Sequence, residues 1–444
     1  MKADPIIDRS WPEGYLTFFK DRLVSNRRLS KAALDAGLDQ YILTRPFTGQ
    51  KWQPLYVDDL LASNSSDSEK PCGTRKMSSK TLAGVMEALI GACYIHGKWK
   101  STLRFIAKLI PDHGWKPMEE CRSILFEDAR ENIPLPSTLA HAEEIIGYQF
   151  KKKVLLIQAL THGSKVSDSD NFGSYGRLKF LGDALLDIII VTKIFNASPT
   201  LTHSEIHTLK TAMVNGNFLA FLLLDRCVSQ IQTVIDSTTV GISMQTSSFD
   251  MPLWRLMRHS SPSLGYEQEF TQKRYLELRD EIRRGLDETQ DYYPWALLTR
   301  LQAGELYSDL FQAVLSAIWV DSGSWESCEA FLEQFGMLRR LDRLLRSDVS
   351  RLKHPKEELV ALANREKIHY LVEVRTLEGE GGRGAFACKV SIGGRVIARV
   401  EDGVGKEEVK TKVAEAAVKV LRAERSNAGS EKEQKTLVLR QPKD

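Results

Sequence analysis

Apolar residues recur at helical spacing along most of the chain. Leu16, Phe19 and Leu23, followed by Leu34 and Leu38, predict helix within residues 14–43, with Gly37 as a C-cap. A strong helix is predicted from Ser78 or Ser79 through Tyr94, and another over roughly 100–110, ended by Pro111. Between them, residues 44–78 read as loop, because Pro46, Gly49, Pro54, the Ser/Asp-rich run 63–68, Pro71 and Gly73 break any period. A second helical series opens at Ser137. Leu139, Ile145 and Ile146 precede Gly147, and Val154, Leu155, Ile157 and Leu160 precede Thr161-His162-Gly163-Ser164. A polar turn over 167–174 leads into the most apolar stretch, in which Leu178, Leu181, Leu185 and Ile189 face a core. Lys179 and Asp183 lie four apart on that helix, one turn from each other. Taken alone, they read as an intrahelical ion pair. Further helices are predicted over 204–225, 306–321 and 328–345, whereas 227–300 shows few clean periods and reads as an insertion with helix over 275–284.

The pattern changes after Pro355. A short helix over 355–364 is followed by strand-like alternation through Val372, Val374, Phe386, Cys388, Val390, Ile392, Val396, Ala398 and Val400. Turns are placed at Gly379–Gly384 and Gly393-Gly394. A last helix runs from Lys406 to Leu421, giving an α-β-β-β-α segment, and the polar tail from 424 is expected to be disordered. Phe386 and Val413 are read as core.

The helical part also repeats itself. Lys20-Asp21-Arg22-Leu23-Val24-Ser25 matches Lys210-Thr211-Ala212-Met213-Val214-Asn215, and Leu29 matches Leu219, at an offset of 190 (210 − 20). Glu87-Ala88 and Ala92 match Gln312-Ala313 and Ala317 at an offset of 225 (312 − 87). The insertion in the second copy accounts for the difference. The first copy has no counterpart of the helix around Asp183, since its position would precede Met1.

Composition narrows the possibilities further. With 444 residues there is room for two or three domains. A net charge of +3 means that any basic surface is local. The six cysteines form no CxxC pair, which argues against a zinc site or a disulfide scaffold and for an intracellular home, cytoplasm or nucleus. No signal peptide is read at the N-terminus. The longest apolar run, Leu181–Val191, is interrupted by Gly182, Asp183 and Asp187 and is too short to span a bilayer, so no membrane partner is expected.

Arg177-Leu178-Lys179-Phe180-Leu181-Gly182-Asp183 resembles the Arg-Leu-Glu-Phe-Leu-Gly-Asp signature of the ribonuclease III family. Ala159-Leu160-Thr161-His162-Gly163-Ser164 is similar to the Leu-Thr-His-x-Ser segment upstream of it. Asp309-Leu310-Phe311-Gln312-Ala313 resembles the family's second acidic motif, Asp-x-x-Glu-Ala, and Gly84-Val85-Met86-Glu87-Ala88 resembles the same motif in the first copy. The α-β-β-β-α segment is similar to a double-stranded-RNA-binding domain. Two such domains followed by that module is the order at the C-terminal end of fungal Dicer-like proteins.

The resemblance implies a mainly α fold of tandem ribonuclease III domains, the first truncated, and a small α-β-β-β-α domain. It divides the chain into 1–110 (first domain), a linker over 111–135, 136–346 (second domain, with its insertion), 353–423 (RNA-binding domain) and the tail 424–444. It also implies cleavage of duplex RNA in RNA silencing and antiviral defence, through clustered carboxylates that hold Mg²⁺ or Mn²⁺. The partners implied are duplex RNA, an intramolecular pseudodimer of the two domains, and a protein partner of the RNA-binding domain. Carried onto this chain, the acids are incomplete. Asp183, Asp309 and Glu87 occupy acidic positions, but Lys179, Gln312 and Gly84 stand where the family has acids. Lys80 matches a position that approaches the scissile phosphate, and Lys210 and Asn215 match positions that hold the pseudodimer and approach RNA. His162 is read as a hydrogen-bonding residue rather than a catalyst. In the RNA-binding module Asn364, Arg383, Lys406 and Lys410 match RNA-contacting positions, while Glu407 replaces a lysine. Three readings follow: a Dicer-like endonuclease with weak or conditional activity, a catalytically dead RNA- or partner-binding remnant, and an incomplete gene model of a full Dicer.

Overall fold

The computed structural model describes residues 11–43, 77–111, 114–129, 133–165, 173–197, 200–236, 243–288, 292–375 and 385–438. Most of the loop expected over 44–78 (44–76), most of the turn expected over 167–174 (167–172), the Gly379–Gly384 turn and Arg383 lie outside these residues. The chain divides into two compact units, Met1–Ala129 and Arg130–Asp444.

In the first unit, the expected helix within 14–43 is two helices, α1 (Glu13–Leu23) and α2 (Asn26–Asp35). Ser25 separates them, and its side chain accepts from the Arg28 amide to cap α2. Gly37 adopts φ 66°, as a left-handed helix stop requires. α3 (Ser79–Leu109) begins at the Ser78 cap and is broken at Gly97 and Lys98. Leu29, Ala32 and Ala33 of α2 pack against Leu82, Ala83 and Met86 of α3. α4 (Met118–Asp128) falls inside the stretch expected to be linker. It buries no residue, so no apolar period marks it in the sequence.

The second unit opens with α5 (Ala142–Ile146), α6 (Lys153–Ala159) and α7 (Gly176–Ala197). Then come α8 (His203–Val214), α9 (Gly216–Asp225) and a hairpin of β1 (Cys227–Asp236) and β2 (Ser243–Pro252). The hairpin replaces the periodless start of the expected insertion. A two-stranded ribbon imposes no helical period, and its Ile231 is 78% exposed. The helix expected over 275–284 is longer, α10 (Pro262–Asp287), and α11 (Trp295–Arg300) follows. α12 (Gly304–Ser322) is the axis of this unit: every residue from Leu310 to Asp321 is buried. α13 (Trp325–Gln334) and α14 (Met337–Leu344) close the helical part.

Asp321 at the end of α12 is fully buried and satisfied. It accepts from Tyr148 Oη and Lys151 N, both at 2.8 Å, and from Lys152 N at 2.9 Å.

The repeat is visible helix by helix. Ser25 and Asn215, at the offset of 190, are both caps; Asn215 accepts from the Phe218 amide as Ser25 does from Arg28. At the offset of 225 (304 − 79), α3 and α12 start at equivalent residues. Lys98, with φ 52°, falls where Gly323 ends α12 with φ 68°. The first copy thus has a positive-φ lysine at the equivalent position, but with ψ −153° it kinks α3 rather than making the left-handed stop of Gly323.

The remainder is α15 (Pro355–Leu362), β3 (Ile368–Arg375), β4 (Ala385–Ile392), β5 (Arg395–Gly403) and α16 (Lys406–Val438). The sheet is antiparallel in the order β3-β4-β5. Leu359, Cys388, Val390, Val409 and Val413 form its core, with Phe386 packed at the edge. α16 continues to Val438, where disorder was expected from 424, in a stretch rich in the helix formers Glu, Lys, Gln and Ala. The mainly helical fold with a small C-terminal three-stranded sheet is the architecture that the sequence predicts. No helix among the described residues is long and apolar enough to cross a membrane.

α7 and α12 cross in close contact. A Cβ placed on Gly182 would lie 1.9 Å from the Gln312 carbonyl oxygen, so only glycine permits the approach. The equivalent helix α3 has open space at Gly84 and Gly91. Gly182→Ala is therefore expected to destabilise the chain by about 1–3 kcal/mol or more through overpacking. Gly91→Ala is expected to be neutral or stabilising by up to about 1 kcal/mol. Thermal and denaturant unfolding of the two variants measures the contrast.

Candidate functional site and RNA-binding module

The α7–α12 crossing sets the site. With backbones this close, Ser316 Oγ donates to the Leu178 carbonyl at 2.7 Å. One turn along, Gln312 Nε2 donates to Asp183 Oδ1 at 3.1 Å. At the open end of the crossing, Lys179 Nζ lies 3.6 Å from Asp309 Oδ1. The four matched positions of the second copy, Lys179, Asp183, Asp309 and Gln312, thus come together as two cross-helix pairs. The ammonium–carboxylate bridge that Lys179 makes here reaches Asp309 on the other helix. The expected four-residue pair gives way to it because α12 brings an acid within reach of α7. Gln312 is buried, and the Lys179 and Asp309 side chains are 26% and 17% exposed.

Tyr175 and Asp187 extend the constellation. Burial, with Asp309 and Glu305 nearby, pushes the Tyr175 hydroxyl well above the usual phenol range, so it remains protonated. Asp187, one turn beyond Asp183, is paired with Lys210 of α8 at 2.5 Å. That pair, which the sequence reading missed, engages the expected RNA-approaching lysine. The two residues lie on different helices, so no local spacing marks the pair. Asn215 caps α9, as described above, and its amide nitrogen also donates to the Ala212 carbonyl at 2.9 Å. His162 Nδ1 accepts from the Ser164 amide at 3.0 Å, which fits the hydrogen-bonding role expected of it. Burial, followed by the nearby His259, lowers its pKa.

In the first unit, Lys80, Gly84 and Glu87 lie along one exposed face of α3. Among the described residues, no group of three or more His, Cys, Asp and Glu side chains gathers in a metal-ligand arrangement.

The C-terminal module presents a different electrostatic pattern. Glu407, in the first turn of α16, is bound by Lys356 Nζ at 2.7 Å and by Lys410 Nζ at 2.9 Å. Hydrogen bonds from these two lysines hold its carboxyl down to a pKa of about 2. One carboxylate therefore occupies two ammonium groups on the expected phosphate-facing turn, whereas Lys406 is exposed there. Asn364 lies just past α15 with φ 48°, an exposed turn position that asparagine tolerates better than most residues.

The module is also fastened to α11. Ala296 N donates to Glu415 Oε1 at 3.0 Å, and Arg300 Nη1 donates to the buried Glu408 at 3.1 Å and to the Asp402 carbonyl at 3.2 Å. Gln302 Nε2 donates to the Val404 carbonyl at 2.7 Å.

A family model described as "Ribonuclease III domain" matches residues 6–98 and 176–323. A second, described as "Dicer-like protein 2, dsRNA binding domain", matches residues 348–439. Dicer-like protein 2 of Pyricularia oryzae is 42% identical over 429 residues, which make up 92% of this chain and 28% of that protein. Dicer-like protein 2 of Cryphonectria parasitica is 41% identical over 429 residues, covering 93% of this chain and 29% of its own. The chain thus spans less than a third of the length of these curated relatives. The solved structure of Dicer from Pichia stipitis aligns over 61% of this chain and 95% of its own, at 16% identity and a TM-score of 0.25.

The Lys179–Asp309 pair is half-shielded from water, so its coupling is measurable but small. A double-mutant cycle with Lys179→Met and Asp309→Asn, read by denaturant unfolding, is expected to give about 0.5–1 kcal/mol of favourable interaction.

Proposed function

Because the chain belongs to the ribonuclease III family, we propose that it acts in double-stranded-RNA processing as a Dicer-like protein whose second-copy site has lost its metal-dependent cleavage. The family reaction needs a cluster of carboxylates whose mutual repulsion a hard divalent cation relieves. Such an ion, when bound, supplies hydroxide and stabilises charge on the phosphate.

The residues here do not fit that group. Two acids remain, Asp183 and Asp309, and each already has a donor supplied by the protein. The observation that carries the reading is the Lys179–Asp309 pair: an ammonium fixed beside one remaining acid opposes a second cation at that place. Gln312 adds to this, since its amide donates to Asp183 where a family acid would share a metal. In the first copy, Glu87 has no acidic companion at Gly84. What the residues do support is cross-helix bracing of α7 against α12.

Duplex RNA remains the ligand of this reading, bound chiefly by shape through the C-terminal domain. Residues 353–423 form that domain, 136–346 the second ribonuclease III copy and 1–110 the first, and the two copies pair within the protein. Whether a protein partner joins through the RNA-binding domain is a separate outcome of the same binding experiments.

Purified chain incubated with long duplex RNA and Mg²⁺ or Mn²⁺ is expected to yield at least about 100-fold less product than the Lys179→Glu/Gln312→Glu variant. Short discrete products from the unmodified chain, lost on Asp183→Asn, would sink the proposal. The variant is also expected to bind Mn²⁺, read by proton relaxation enhancement, whereas the parent site is not.

Glu407→Gln is expected to release Lys356 and Lys410 for phosphate. Affinity for duplex RNA should rise, and the slope of log affinity against log salt should steepen by about one unit for each lysine that reaches phosphate. Filter binding at three or more salt concentrations reads both quantities.

A further inference from the structure

A cavity of about 450 Å³ lies at the seam between the C-terminal module and helices α10 and α11. That is the size of a small-molecule site. Two stripes of equal spacing line it. Glu281, Arg284, Gly285 and Glu288 come from α10 and its C-cap, and Glu415, Val418, Lys419 and Arg422 from α16, each set at i, i+3, i+4 and i+7. Both stripes are mostly polar, so neither shows as an apolar period in the sequence. Tyr292, Tyr293, Pro294 and Trp295 supply an aromatic wall. Its buried members are already satisfied: Tyr293 Oη donates to the Ala212 carbonyl at 2.6 Å and Trp295 Nε1 to the Leu352 carbonyl at 3.1 Å. The wall is therefore rigid.

Charge is unevenly committed around this cavity. Arg422 Nε donates to Glu358 Oε1 at 2.6 Å, and the same guanidinium carbon lies 4.9 Å from the Tyr292 ring centroid. Tyr292 is 45% exposed, so the pair forms a cationic and aromatic platform open to solvent. Glu415 accepts from the Ala296 amide at 3.0 Å. Burial raises the pKa of both Glu358 and Glu415. These two carboxyls thus answer to donors of the protein itself. Lys353 and Lys419, by contrast, are exposed, and Arg284 and Arg351 add positive charge to the lining. The other two acids, Glu281 and Glu288, are exposed and belong to the α10 side.

We infer that this cavity binds one ribonucleotide unit, as a free nucleotide or as the 5′-phosphorylated end of an RNA strand. The phosphate pairs with Lys353 and Lys419. The base stacks on the Tyr292–Arg422 platform, as bases do on aromatic and guanidinium planes. The ribose hydroxyls donate to Glu281 and Glu288, the acceptor chemistry that suits a sugar and opposes a second phosphate. The site is separate from the duplex-facing turn around Lys406 and from the α7–α12 crossing, and it does not depend on whether the chain cleaves RNA.

Adenosine 5′-monophosphate is titrated into the full chain by isothermal calorimetry, with inorganic phosphate and adenosine as competitors. Saturable binding of the nucleotide is expected, stronger than that of either competitor, together with a rise in melting temperature. The double variant Lys353→Ala/Lys419→Ala should weaken it by at least about tenfold. Tyr292→Ala should weaken it as well, and Tyr292→Phe should restore most of the affinity by keeping the ring. All three positions are exposed, so circular dichroism should match the parent. An equal loss of charge at the exposed Lys108 and Lys151 should leave binding unchanged. A diadenylate with and without a 5′-phosphate separates the two sources: tighter binding of the phosphorylated strand than of the free nucleotide assigns the site to an RNA end, and the reverse order to a free nucleotide. Absence of saturable binding by nucleotide and phosphorylated strand alike, competition by inorganic phosphate as effective as the nucleotide itself, or undiminished binding to the folded lysine double variant would each overturn the inference.

Discussion

One close approach governs the second unit: the backbone of α7 at Gly182 against the backbone of α12 at Gln312. Any side chain at position 182 would part the two helices. With them in contact, Leu178 meets Ser316, Asp183 meets Gln312 and Lys179 meets Asp309. The polar pairs are short because the backbones are close, and the same closeness places Leu185, Leu186, Ile189 and Ile190 in the core. A helix interior normally disfavours glycine by about 1 kcal/mol. Here that cost is offset by tight packing along the crossing.

The same contact explains how far the sequence could be read. Helical period identified α7 and α12, because each buries a face along its whole length. The repeat was legible because short motifs recur at fixed offsets: Lys20–Ser25 with Lys210–Asn215, and Glu87-Ala88 with Gln312-Ala313. Pairing partners were not legible. Spacing alone favours Asp183 for Lys179, while the acid it reaches lies on another helix. Likewise nothing local marks Lys210 as the partner of Asp187. The exposed elements were missed for the complementary reason. α4 buries no residue, so it imposes no apolar period on its sequence, and the β1–β2 hairpin has no helical period to show.

The C-terminal module shows how a single replacement spreads. Glu407 stands at a position that resembles a lysine position of the family. Its carboxylate does more than remove one positive charge. It draws Lys356 from α15 and Lys410 from the next turn of α16, so three charges become one local network. Lys356 carries no motif of its own, and only the packing of α15 on α16 reveals its part.

The bonds from α11 to the start of α16 have a mechanical consequence. A tethered domain on a loose linker searches a volume and surrenders that freedom when it captures a ligand. Arg300, Gln302 and Ala296 grip Glu408, Val404 and Glu415 and remove that freedom during folding. The module is therefore a fixed bracket rather than a swinging arm: whatever ligand it holds acquires a bearing relative to α11, and the entropy of alignment is charged to folding instead of to capture.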